Sequence, residues 1–380
     1  MPLPRRRLPA LLAGTLLVLA AGAQAQPPRL VGYVMDTPEP AQLTASKLDV
    51  VNFAFAKVST EGQVYLPDTV DPAHLHALVG KRAENPELKV VLSIGGWGAG
   101  NFSEAVADEA ARNRFIDSGM ALLHRFDLDG LDIDWEYPSL GDADISHSPD
   151  DRRNFTLLLE ALRARLDQAG EGKRHYLLTI AAAEGRFAEG LELQRIAASL
   201  DWVNLMTYDF HGSLTPTTGH HSGLARSALA PAQERTTEDA VRYYLDGGMP
   251  AEKINIGVPF YGRSFSGVAA TNAGLYQPFT GEGGFITWQQ IKHTCLGVAG
   301  WERHWDAKAQ QPWLWNPEQQ RMITYDDPQS LAIKAEYVKR LGLGGIMYWR
   351  QGSDDNEQLL DVLHDALKGE AVQPAAAHAH

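Results

Sequence analysis

A single cysteine, Cys295, stands in 380 residues, which excludes any intramolecular disulfide and the stapled frameworks of small secreted domains. Basic side chains are short as well. The 34 Lys and Arg face 47 Asp and Glu, a balance that disfavours nucleic acid and anionic membranes as partners and suits a neutral polymer. Beyond residue 25 no apolar run is long enough to span a bilayer. No Gly-rich phosphate loop follows the first strand, where Gly32-Tyr-Val-Met is unlike the dinucleotide signature. No internal repeat stands out, and no Pro/Ser-rich linker sets off a separate carbohydrate-binding module. Stability must therefore come from one large core, which a composition of 44% apolar residues permits.

What is present begins with a basic cluster, Arg5 to Arg7, an apolar run from Leu8 to Ala21, and Ala23-Gln24-Ala25. Basic head, short apolar middle and small-residue boundary make residues 1–25 a secretory signal, cleaved after Ala25. The protein is then expected outside the cytoplasm, in the periplasm or the medium, as a monomer without membrane contact. Without the signal's three arginines, roughly 355 residues carry 31 basic against 47 acidic groups. The tail, 370–380, is rich in Ala, Pro and His and reads as a disordered end.

Between these ends, short near-continuous apolar strands alternate with helical stretches. The strands are Arg29–Tyr33, Val50–Ala56, Lys89–Ile94, the acidic strand from Gly130, Tyr176–Ala182, Trp202–Tyr208, Ile254–Phe260 and Gly345–Trp349. Helices are expected over Pro72–Ala83, Ala110–Phe126, Asn154–Leu166, Leu191–Ser199, Thr237–Leu245, Ser330–Leu341 and Asn356–Leu367. Such alternation implies a parallel sheet covered by helices. Eight strands in a chain of this length predict an α/β fold, a (β/α)8 TIM barrel; a doubly wound open sheet is the other topology the pattern admits. The barrel takes residues 26–263 and 328–369. Residues 264–327 lack the helix-strand rhythm and hold five of the nine tryptophans, Trp288, Trp301, Trp305, Trp313 and Trp315. They predict a small α+β insertion at the rim, forming one wall of a groove.

The chemistry centres on Asp129-Gly-Leu-Asp132-Ile-Asp134-Trp-Glu136-Tyr-Pro138. A period of two turns Asp132, Asp134 and Glu136 to one face, with successive members ~6.6 Å apart along an extended strand. Like charges so close raise one another's pKa, so one member holds a proton near neutral pH. A protonated carboxyl beside ionised partners suits glycosidic bond cleavage. A magnesium or calcium site and an exposed acidic edge strand are the plainer readings of the same residues. Strand ends share a rim in a barrel, which collects Tyr33, Phe55, Trp97, Asp134, Glu136, Met206, Tyr208, Asp209, Tyr261 and Trp349. Flat aromatics and few carboxylates fit a polysaccharide cleft better than a phosphate site.

Glu136 lies nearest the opening and is the expected general acid, with Asp134 beside it. Two groups on one strand do not flank a scissile bond, so spacing leaves the nucleophile open, with Asp209 a candidate. Arg263 lies within reach of a groove carboxylate. His211 reads as a loop brace, and with His220 and His221 it lacks a fourth zinc ligand, so no metal or cofactor is expected.

The acidic stretch resembles the signature of chitinases of glycoside hydrolase family eighteen. Ser93-Ile-Gly95-Gly96-Trp97, Met206-Thr-Tyr208-Asp209, Gly257-Val-Pro-Phe-Tyr-Gly-Arg263 and Gly345-Ile-Met-Tyr-Trp349 are similar to its third-, sixth-, seventh- and eighth-strand motifs. The resemblance runs from about Leu30 to Leu367 and implies hydrolysis of β-1,4 links between N-acetylglucosamine units of chitin, with retention. It also implies that the substrate's own N-acetyl oxygen is the nucleophile. Carried over, Glu136 protonates the leaving oxygen and Asp134 polarises the acetamido group, sharing its proton first with Asp132. Tyr208 would bind the acetamido oxygen, Asp209 would fix the sugar, and Trp349 would floor the site. Tyr33, Phe55, Gly96, Trp97, Tyr137, Met206, Tyr261 and Arg263 are the further expected sugar contacts, and the insertion matches the deep-grooved members.

Two departures are Glu184, where many members place proline, and Arg350 after the floor tryptophan. An endo-β-N-acetylglucosaminidase on glycoprotein glycans would use the same carboxylates, whereas a merely chitin-binding relative would lose the acid.

Overall fold

The computed structural model describes residues 27–36, 42–281 and 284–369. The signal expected over 1–25 and the disordered tail expected over 370–380 lie outside the described residues. In chain order the first strands are β1 (Arg29–Met35), β2 (Val50–Val58), β3 (Val64–Tyr65), β4 (Lys89–Gly95), β5 (Gly130–Asp134), β6 (Leu177–Ala182), β7 (Trp202–Leu205) and β8 (Ile254–Pro259). After them come β9 (Tyr261–Ser266), β10 (Gly284–Thr287), β11 (Glu302–Asp306), β12 (Gln311–Asn316), β13 (Arg321–Thr324) and β14 (Gly345–Trp349). Parallel pairing runs β1-β14-β8-β7-β6-β5-β4-β2, and β1 pairs β2 to close the ring. The closed barrel replaces the open-sheet alternative. β3 folds back antiparallel on β2, a short hairpin that the apolar pattern did not announce.

Residues of alternate parity face two cores. Val31, Tyr33, Val50, Ala54, Val91, Trp202 and Met347 fill the barrel interior, and the opposite faces pack against the helices. Those helices include α1 (Pro72–Gly80), α2 (Phe102–Val106), α3 (Glu109–Arg125), α4 (Asp151–Gly170), α5 (Leu193–Ile196) and α6 (Thr237–Asp246). α4 buries Leu158, Leu159, Leu162 and Leu166 along one stripe. Its first residue, Asp151, accepts from the Ser103 hydroxyl at 2.7 Å and the Ser148 amide at 2.8 Å, which pins the loop leaving the acidic strand.

Several sequence boundaries shift. β7 stops at Leu205, short of the expected Tyr208, because the Thr207 hydroxyl enters the ladder: it donates to the Gly257 carbonyl at 2.7 Å and accepts from the Gly257 amide at 2.9 Å. The helix expected over Leu191–Ser199 contracts to α5.

The insertion is an antiparallel sheet ordered β10-β9-β13-β12-β11, with α7 (Trp288–Thr294). It begins at Tyr261, ahead of the expected residue 264, since β9 pairs with β10 from that residue on. Phe265, Val268, Leu275, Trp313, Trp315 and Met322 form its own core. Two of the insertion tryptophans are thus core, and Trp288 joins the main cluster. The chain returns to the barrel through α8 (Pro328–Leu341), capped by Asp327 and Ser330. α9 (Gln358–Lys368) follows β14.

A buried ion pair fixes this return. Lys334 lies 2.6 Å from Asp326, both fully enclosed, and Asp326 also accepts from the Ser222 and Ser330 hydroxyls at 2.7 and 2.5 Å. Lys334→Met leaves that carboxylate buried without its counter-charge. The expected cost is about 3–5 kcal/mol of unfolding free energy, measured by guanidinium titration; a loss below about 1 kcal/mol would show that the pair does not hold the return.

Candidate active site

The acidic strand delivers its carboxylates to the inside of the barrel, stepwise towards the mouth. Asp132 is fully enclosed and level with Ser93 on β4 and Thr179 on β6. Both hydroxyls donate to it, Ser93 to Oδ2 at 2.7 Å and Thr179 to Oδ1 at 2.6 Å, and Tyr33 of β1 donates to Oδ2 at 2.8 Å. Burial still pushes the Asp132 carboxyl up, the hydroxyls opposing it.

Asp134 ends the strand, 4% exposed, and its Oδ1 has no hydrogen-bond partner. Burial, then Glu136, then Asp132 raise its pKa well above the ordinary carboxylate range. Glu136 lies beyond the end of β5, so the strand does not reach it as the period-two reading implied. It is 9% exposed and accepts from the Tyr137 hydroxyl at 3.0 Å. Burial pushes its carboxyl up to about 7, while the Tyr137 bond opposes the rise and nearby Asp209 adds to it. Near neutral pH this face holds protons, as like charges in a dry setting must.

Aromatic side chains line the mouth around these acids. Trp349, at the end of β14, stacks on Phe55 with centroids 5.7 Å apart at 19°. Trp97 is 54% exposed and meets Tyr137 edge-on at 6.5 Å. Tyr137 packs on Phe187 at 4.6 Å. Across the mouth, Met206 packs with the interior cluster beside Tyr208 and Trp349. The Tyr208 hydroxyl lies 3.9 Å from the Met347 sulfur, and its ring meets Tyr261, which stacks on Phe285 of the insertion at 4.5 Å. Burial and then the surrounding carboxylates Asp134 and Glu136 raise the Tyr208 pKa, so it stays a neutral donor.

Tyr33 is placed differently from the expectation. It is 1% exposed and committed to Asp132, beneath the groove and not in its wall. Alternation along β1 turned it inward, and inward at its height means under the mouth.

Asp209, the open candidate for nucleophile, is engaged. Arg263 grips both its oxygens at 2.7 and 2.6 Å, and His221 Nδ1 lies 3.6 Å away. Burial pushes the Asp209 carboxyl up, but nearby His221 and the two hydrogen bonds from Arg263 outweigh it and hold the group below the ordinary range. It is an ionised anchor between the end of β7 and β9. His211 bonds Glu234 at 2.9 Å and the Thr217 carbonyl at 3.1 Å, bracing its loop.

Lys57 and Arg235 escaped the sequence reading. Lys57 donates to the Gly95 carbonyl at 2.5 Å and lies 5.2 Å from the Phe55 ring centre; only its place two residues after Phe55 could have suggested it. Glu184 accepts from Arg235 at 3.1 Å, and that guanidinium donates to the Asp209 and Phe210 carbonyls at 3.0 and 2.8 Å. The unexplained glutamate thus orients the arginine that holds the backbone behind Asp209. Among the described residues no cluster of His, Cys, Asp and Glu is arranged to hold a metal ion.

The turn after β4 sets the spacing of this mouth. Gly96 has φ +86°, donates its amide to the Asp134 carbonyl at 2.9 Å, and a Cβ there would lie 2.7 Å from the Phe55 ring. Gly96→Ala is therefore expected to push Phe55 off Trp349 and cost roughly 1–3 kcal/mol. Tryptophan emission and thermal melting check this; an unchanged spectrum and melting point would mean the turn has room that the geometry denies.

The chain matches the model of glycosyl hydrolases family 18 over residues 29–354. It is 38% identical over 335 residues to chitinase A1 of Niallia circulans, covering 82% of this chain and 48% of that protein, so it spans about half the length of that relative. It is 33% identical over 361 residues to chitinase 1 of Aphanocladium album, covering 87% of this chain and 81% of that one. A solved family 18 N-acetylglucosaminidase from Paenibacillus barengoltzii superposes with a TM-score of 0.85 at 38% identity, over 90% of this chain and all of that one.

Proposed function

The chain belongs to family 18 of the glycosyl hydrolases, and on that footing we propose that it hydrolyses β-1,4 bonds between N-acetylglucosamine units of chitin and chitooligosaccharides, with retention of configuration. The observation that carries this is Glu136, nearly buried at the mouth with its carboxyl raised to about 7, beside Asp134, whose carboxyl burial also raises, while Asp209, the remaining candidate nucleophile, is tied to Arg263. The attacking oxygen then comes from the sugar.

In the first step the acetamido oxygen bonds to the anomeric carbon as the glycosidic bond breaks, and the Glu136 proton goes to the leaving oxygen. Asp134 receives the acetamido N–H and turns its proton, shared first with Asp132, towards the carboxylate left on Glu136, which sets negative charge beside the cyclic intermediate. Tyr208, kept neutral, donates to the acetamido oxygen. Water then attacks from the vacated side and yields its proton to Glu136, and the ring of the intermediate opens with the original configuration restored. Trp349 on Phe55 supplies the apolar floor, and Gly96, Trp97, Tyr137, Met206 and Tyr261 the walls, with Arg263 and Asp209 fixing hydroxyls. No step needs a metal or cofactor.

The signal over 1–25 supports export, and among the described residues no helix is long and apolar enough to cross a membrane. A secreted monomer acting on an insoluble neutral polymer is consistent with the acidic balance. The similar N-acetylglucosaminidase supports a second reading, removal of single units from chain ends. Product lengths from oligomers of known size separate it from internal cleavage.

Glu136→Gln should lower kcat by at least ~10³-fold while oligomer binding persists; turnover at the native rate would remove Glu136 from the role. A de-N-acetylated unit at the cleavage point should be cleaved slowly, and rapid cleavage would demand a protein nucleophile. The general acid must carry its proton, and its pKa is raised to about 7. Activity should accordingly fall as pH rises through that value. Tyr137→Phe removes the bond that favours the ionised form, so the alkaline limb of kcat/KM should move to higher pH; a limb that stays or moves down would mean another group sets it.

A further inference from the structure

A line of polar side chains crosses the barrel beneath the site. Arg29, where β1 enters at the end away from the groove, donates from Nη1 to Asn255 Oδ1 at 3.1 Å. Asn255 Nδ2 donates to Asn204 Oδ1 at 3.0 Å, and Asn204 Nδ2 donates to the Tyr33 hydroxyl oxygen at 3.3 Å. Tyr33 donates its own proton to Asp132 Oδ2 at 2.8 Å. Asn204, Asn255 and Asp132 are fully enclosed and Tyr33 very nearly so, so water does not compete for these groups.

The direction of this line follows from its first member. A guanidinium has only donors. Asn255 must turn its oxygen to Arg29 and its amino group to Asn204, and Asn204 is oriented the same way in turn. The Tyr33 oxygen then receives an N–H, which leaves the phenolic proton nowhere to point but Asp132. Without the cation both amides are free to flip, and Tyr33 to present its lone pairs to Asp132 instead. Further contacts hold Arg29 in place, for it also donates to the Glu252 carbonyl at 3.2 Å and lies over the Trp202 ring at 4.5 Å. Gly344 clears its path, since a Cβ there would lie 2.4 Å from Nη1.

We propose that Arg29, Asn255 and Asn204 are positioning residues, which act through Tyr33 from the closed end of the barrel to keep Asp132 a proton acceptor. The inference rests on the proposed use of the Asp132 and Asp134 pair. With the donor in place, the proton shared by the two aspartates resides on Asp134, where it can serve the acetamido group and Glu136. With the relay reversed, Asp132 competes for that proton. The titratable groups facing Asp132 are Tyr33 from β1, Asp134 on its own strand and Tyr208 beyond β7. Those around Arg29 are Asp49, Asp201 and Glu252.

The test compares Arg29→Lys, which still only donates, with Arg29→Gln, which is shorter, uncharged and can also accept. Losing the donor favours protonated Asp132, so R29Q should move the acid limb of kcat/KM up by about half a pH unit or more. Its kcat on an N-acetylglucosamine tetramer should fall roughly five- to tenfold with KM within about twofold. R29K should keep the native profile. Asn204→Leu, which cuts the line next to Tyr33 and leaves Arg29 in place, should repeat the R29Q shift and covers the case in which R29Q melts below assay temperature. A native acid limb in either folded variant, or an R29K limb displaced as far as that of R29Q, overturns the relay. A native protein that leaves the tetramer intact would instead defeat the glycosidase reading itself.

Discussion

Three carboxyl groups in sequence at the mouth of one barrel are tolerable only because the surroundings decide, group by group, how each is neutralised. Asp132 receives three hydroxyl donors from three other strands, β1, β4 and β6. Asp134 has an oxygen with no partner, and burial with its acidic neighbours raises its carboxyl well above the ordinary range. Glu136, nearer solvent, sits at the edge of ionisation. An open sheet would not bring β1 and β6 to opposite sides of one aspartate. Closure through the β1 pairing with β2 is thus a condition for the charge pattern, and the pattern is a reason for the fold to close in this register.

The same logic ties the insertion to the barrel. Its two attachments are both ion pairs: Arg263 on the partly exposed Asp209 near its start, and the fully enclosed Asp326 with Lys334 near its end. Ion pairs of this kind add little net stability relative to apolar packing, but they fix orientation, because any displaced geometry leaves a charge unpaired. The aromatic line Tyr208, Tyr261, Phe285 then continues the barrel mouth into the insertion sheet without a break. A groove wall held this way keeps its distance from the acids.

Much of this was legible in the sequence, and the losses follow a rule. Period-two alternation over Leu131 to Trp135 is a backbone property, so it located Asp132 and Asp134 on one face. The eight apolar runs set the barrel for the same reason. Strand ends were less legible: β7 ends where the Thr207 side chain substitutes for backbone, an event that no propensity records. Depth was legible along the acidic strand, whose order put Glu136 nearest the opening, but not between strands. Tyr33 and Phe55 are both aromatic residues near the ends of inward-facing strands, yet one lies under Asp132 and the other forms the groove floor with Trp349. Lys57 and Arg235 were missed because long cationic side chains reach neighbours that chain order does not reveal.

Depth also explains why the site can act on a neutral sugar with so many acids in hand. A carboxylate exposed at the mouth would be hydrated and would have to shed water before touching substrate. Here the ionised Asp209 has its charge matched by Arg263, while burial raises the carboxyls of the members that exchange protons, Asp134 and Glu136. Negative charge need appear only as the glycosidic bond breaks and positive charge develops on the sugar, next to the very groups that have just lost or moved a proton. Because burial has already made ionisation of Glu136 unfavourable, the developing cation stabilises the new carboxylate more strongly than it would in water. The desolvation that raises the pKa of the acid in the resting protein is therefore recovered in the transition state, which is where it accelerates the reaction.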